Sequence, residues 1–169
     1  MKPACLFESI IVSVCTRVEN LWAVRAGAFL IHHAQNAVGV RLPLRQIYIN
    51  AMPLFHALPP DHHIFSELTH VELIGPPSEG IDVICSTITR LPRLTHLAFN
   101  DEEFIPMCPH FLENCALLSV LVSLDGKPLP ASAFDQYEGV LAQDPRFVVM
   151  FPENWAADWW QGVYAGRDY

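Results

Sequence analysis

Two stretches of this chain repeat one frame. Leu68-Thr69-His70-Val71-Glu72-Leu73 and Leu94-Thr95-His96-Leu97-Ala98-Phe99 share Leu-Thr-His-apolar-x-apolar, and their first residues stand 26 apart. The same Leu-x-x-apolar-x-apolar pattern returns at Leu44, Ile47 and Ile49, followed by Asn50, and more loosely at Val18, Leu21 and Ala23. A fifth copy keeps Leu118 and Leu121 but carries Ser123 in the third slot. The landmarks Val18, Leu44, Leu68, Leu94 and Leu118 thus recur with a period of about 25 residues. An apolar run from Phe147 to Met150 follows after a slightly longer interval. Such a period limits the fold severely. One short strand with one return segment cannot bury its own apolar face, so copies must stack and share a continuous interior.

Between the frames, most intervals carry helical spacing. Leu6, Phe7, Ile10, Ile11 and Val14 form one apolar stripe, as do Ile81, Ile84, Cys85 and Ile88. Ser132 followed by Asp135 resembles a capping box, opening a stretch where Phe134, Tyr137 and Leu141 recur at helical intervals. A terminal helix is expected over about 154–165. The Met52 to Asp61 interval is expected to hold only a turn or a 3₁₀ segment, because Pro53, Pro59 and Pro60 interrupt it. The predicted class is α/β: a short leucine-rich-repeat solenoid of five to six turns, with a parallel sheet on the concave face and helices or loops on the convex face. One such domain is expected over 1–169. Asn50 and Asn100 follow strands where an Asn side chain can satisfy backbone groups at the turn, and Asp125 is placed to do the same.

Composition narrows the partners. With 51% hydrophobic and 17% charged residues, the chain has the makings of a packed core and not of a disordered tail. Its formal charge of -8 leaves no basic footprint for nucleic acid or anionic lipid, so neither is an expected partner. A membrane-crossing helix needs roughly 20 consecutive apolar residues. No run in this chain is that long. Glu8 breaks the apolar run that a signal peptide would require. Five cysteines, an odd number with no Cys-x-x-Cys pair, read as small buried hydrophobes in a reducing compartment, cytoplasmic or nuclear. No Cys and His set has zinc-finger spacing, so no metal or cofactor is expected.

Strand alternation turns the residues flanking the second apolar frame position to the open side of the sheet. They run Asn20 and Trp22, then Gln46 and Tyr48, then His70 and Glu72, then His96 and Ala98. Among them Trp22, Gln46, Tyr48, His70, Glu72 and His96 are the candidate partner-binding residues, with the two aromatics favoured because aromatic side chains dominate interface energetics. In register, His70 and His96 would sit on adjacent strands about 4.8 Å apart. Mutual repulsion would oppose charging both rings, while Glu72 would favour it, giving binding that varies between about pH 5 and 7. Asp101, Glu102 and Glu103 read as a solvated acidic rim, and the doublets His32-His33 and His62-His63 as surface residues. The Trp155, Trp159, Trp160 and Tyr164 cluster reads as a lid on the last turn of the core, or as an aromatic patch for self-association.

No nucleophile elbow, phosphate loop or paired-carboxylate pattern is present, and the chain is not expected to be an enzyme. The one enzyme alternative is a metal-dependent hydrolase built on His70, His96 and Glu72. A second alternative is a structural relative acting by self-association through its solenoid ends.

The stretches Cys15 to Trp22, Ile64 to Leu73, Leu91 to Asn100 and Asp144 to Val149 resemble the leucine-rich-repeat region of F-box-like proteins of mushroom-forming fungi. The tail, with Asp158, Trp159, Gly162, Gly166, Asp168 and Tyr169, resembles that family's closing segment. The resemblance implies an intracellular protein-protein interaction platform that selects targets for a ubiquitin ligase. The chain departs from the family in having no stretch similar to an F-box, since its first residues already read as a repeat helix. It also ends where that family commonly continues as a helix, so a short gene product or a fragment is expected.

Overall fold

Six short strands lie side by side in chain order, every neighbouring pair parallel: β1 Asn20–Ala23, β2 Gln46–Ile49, β3 His70–Leu73, β4 His96–Phe99, β5 Val120–Leu124 and β6 Phe147–Met150. This computed structural model describes residues 18–23, 42–76, 80–124 and 143–150. The stripe from Leu6 to Val14, the stretch from Ser132 to Leu141, the helix expected over 154–165, Cys5, Cys15, His32, His33 and Asp125 lie outside the described residues. All five apolar frames coincide with strands. The sixth, foreseen from apolar character alone, is also a strand.

One backbone contact recurs from strand to strand. The N–H groups of Arg45 and Gln46 both donate to the Glu19 carbonyl, those of Thr69 and His70 to the Arg45 carbonyl, those of Thr95 and His96 to the Thr69 carbonyl, and those of Ser119 and Val120 to the Thr95 carbonyl. Residues one repeat apart thereby occupy equivalent places on successive strands. A parallel ladder needs such matched starts, because every slip by one residue would turn an apolar side chain outward.

The returns between strands contain three α-helices, α1 Ala51–Ala57, α2 Ile81–Ile88 and α3 Cys108–Asn114, and two 3₁₀ segments, His63–Phe65 and Glu102–Met107. Helix α2 falls where the apolar stripe predicts it. Gly80 enters it with φ at 116°, a left-handed conformation that costs glycine little, and Ile84 and Ile88 turn into the core. Its end is closed by the Thr89 hydroxyl, which donates to the Cys85 carbonyl at 2.8 Å.

Helix α1 corrects the sequence reading of the Met52 to Asp61 interval as a turn or 3₁₀ segment. Pro53 falls in the first turn, where the missing N–H has no helical partner to lose, so proline permits the helix there. Leu54, Phe55 and Leu58 then bury against the sheet, and this packing outweighs the weak local propensity of the segment.

One face of the sheet supplies the interior. Ile47, Ile49, Val71, Leu73, Leu97, Phe99 and Leu121 join Leu54, Phe65, Ile84, Ile88, Phe104, Phe111 and Leu112 from the returns in one buried cluster. The ring pairs Phe55 with Phe65, at 5.8 Å, and Phe99 with Phe104, at 5.4 Å, pack within it. Cys108 and Cys115 are buried there as free thiols, as their apolar surroundings predict. Burial pushes their pKa values up to about 12 and about 11, so neither is a thiolate at neutral pH. Among the described residues no helix is long and apolar enough to cross a membrane.

Candidate functional site

The other face of the same sheet carries two rows of side chains. Strand register puts Asn20, Gln46, His70, His96 and Val120 in one row, and Trp22, Tyr48, Glu72, Ala98, Val122 and Val148 in the next. These are the rows expected from alternation, with His70 directly beside His96 and Tyr48 directly beside Glu72. Trp22 occupies its expected register position.

His70 and His96 stack face to face, with ring centroids 4.1 Å apart and planes 7° from parallel. Each ring is held by the threonine before it. The Thr69 hydroxyl lies 2.8 Å from His70 Nδ1 and donates to the Arg45 carbonyl at 3.1 Å; the Thr95 hydroxyl lies 2.8 Å from His96 Nδ1 and donates to the Thr69 carbonyl at 3.1 Å. A hydroxyl has a single proton to give. With it committed to the carbonyl, the oxygen accepts from Nδ1–H, which leaves Nε2 as the acceptor of each neutral ring. The Leu-Thr-His frame therefore does three things: leucine fills the core, threonine ties one strand to the previous one, and histidine is oriented on the open face.

Glu72 is the anomaly of this face. It is half-buried, and the burial pushes its carboxyl from 4.5 up to about 8. Among the described residues its carboxyl makes no hydrogen bond and no ion pair. This corrects one expectation. Between pH 5 and 7 Glu72 is neutral, so it supplies no negative charge to favour protonation of the histidines.

Tyr48 also departs from its expected part. Its side chain is only 1% exposed and is held by contacts within the chain, so an aromatic expected to meet a partner is an interior group. Gln46, His70 and His96 are half-buried and remain at the surface of the face. Val148, on β6, is 40% exposed and extends the second row with an apolar side chain.

Ion pairs link neighbouring strand starts. Arg45 Nε lies 3.9 Å from Glu19 Oε2, and the Arg93 guanidinium meets Glu67, both pairs largely exposed. Sequence reasoning missed them, although the signal was available: each Arg follows its Glu by one full repeat. Arg146 pairs with Asp144 at 2.7 Å ahead of β6, and that guanidinium holds the Asp144 carboxyl at about 2.

The remaining polar candidates have structural roles. Asp101, from the acidic rim, accepts from the Glu103 N–H at 3.0 Å and so caps the 3₁₀ segment that follows. His62 Nδ1 accepts from the Ile64 N–H at 3.3 Å and caps another, while His63 is exposed, as expected. Asn100 Oδ1 accepts from the Gly75 N–H at 2.9 Å, bridging one turn to the next as its position after the strand predicts. Among the described residues no three His, Cys, Asp or Glu side chains are grouped to hold a metal ion. The parallel rings of His70 and His96 direct their lone pairs side by side, whereas chelation of one small cation needs them to converge.

Comparison with protein-family models, with curated proteins and with solved structures found no match. The class of the protein is therefore stated from its own geometry: an α/β chain with a parallel six-stranded sheet, helices against one face, and a mixed polar and apolar second face.

Proposed function

We propose that the chain is a short leucine-rich-repeat solenoid and that the open, concave side of its sheet recognises another protein. The observation that carries this reading is the contrast between the two faces. The core side repeats apolar residues strand after strand, whereas the open side changes from Gln46 and Tyr48 to His70 and Glu72 to His96 and Ala98. A repeated scaffold bearing a non-repeated surface is what selective recognition of an extended partner requires. The backbone contact that recurs once per repeat supports the solenoid part of the reading.

In this proposal the partner is a target presented to a ubiquitin ligase inside the cell, in line with the resemblance of Ile64 to Leu73 and Leu91 to Asn100 to F-box-like proteins. Affinity capture from the native organism, run with the wild-type chain and with Gln46→Ala and His96→Ala variants, tests it. Ligase adaptor and cullin subunits are expected in the wild-type capture. Their absence removes the ligase part, and a captured set indifferent to both substitutions removes the open face as the recognition surface.

A further inference from the structure

We draw no further inference here: the strongest candidate, the stacked pair of His70 and His96 on the open face of β3 and β4, belongs to the candidate site already described, and nothing among the described residues shows what covers its ring edges.

Discussion

The two faces of one sheet obey different rules. On the core side, Ile47, Val71, Leu97 and Leu121 share one row and Ile49, Leu73 and Phe99 another, all of them buried. On the open side, no two adjacent strands carry the same pair, and the one repeated residue type in described neighbours of the first row is histidine at His70 and His96. The core side is uniform because each position answers to the same demand, exclusion of water. The open side answers to no shared demand, so it tolerates a half-buried acid and a pair of stacked imidazoles beside it.

Substitutions on the two faces should therefore differ in size and in sign. The largest effect belongs to the core: Leu97→Ala, at a fully buried position, is expected to cost roughly 2 to 5 kcal/mol in denaturant unfolding, from lost transfer energy plus a residual cavity. A loss below about 1 kcal/mol would mean that the strand is not packed as described. Next comes Glu72→Gln, which should stabilise. The folded pKa of Glu72, about 8, lies above its ordinary 4.5, so its contribution to stability is fully present below about pH 4.5 and declines as pH rises to about 8. Glu72→Gln removes that decline. At pH 8.5 the variant should exceed the wild type by up to about 4 kcal/mol, and at pH 4.5 the two should converge. Equal unfolding free energies at both pH values would place Glu72 in water and break the contrast between the faces.

Smaller effects test the link between faces. Thr95→Val keeps the shape but removes the hydroxyl that joins His96 to the Thr69 carbonyl, and should cost about 1 kcal/mol. Imidazole nitrogen NMR sharpens this: the Nδ1–H form of His96 is expected to lose population in the variant, while His70, held by Thr69, keeps its own. The smallest change is Arg93→Gln. Its ion pair with Glu67 is exposed and salt-screened, so thermal unfolding should register less than about 0.5 kcal/mol, and nothing at high salt.

How far the sequence reached depended on the range of the forces involved. The Leu-Thr-His frames at Leu68 and Leu94 made the strands, their parallel order and the His70 to His96 register legible, because a fixed period and a two-residue alternation leave little freedom once apolar residues must face inward. Helix α2 was legible from Ile81, Ile84, Cys85 and Ile88 for the same reason. Helix α1 was not, because the prolines that mark Met52 to Asp61 are read by type, whereas what matters is that Pro53 falls in a first turn. The candidate rows were legible as rows. Their chemistry was not, since Gln46, Tyr48, Glu72 and His96 look alike as open-face residues until burial separates them. Tyr48 proved to be interior and Glu72 neutral at pH 7, and neither fact is written in a local pattern.

The sequence by itself determined where the strands start, which side of each faces the core and which residues, one repeat apart, become neighbours. These follow from periodicity, a property that short-range sterics and the hydrophobic effect read directly from the order of residues. Only the tertiary structure decided how much water each open-face group keeps. Desolvation is set by everything that surrounds a side chain in space, and that sum is what pushes the Glu72 carboxyl up while Glu67 and Glu19 pair with arginines at the surface.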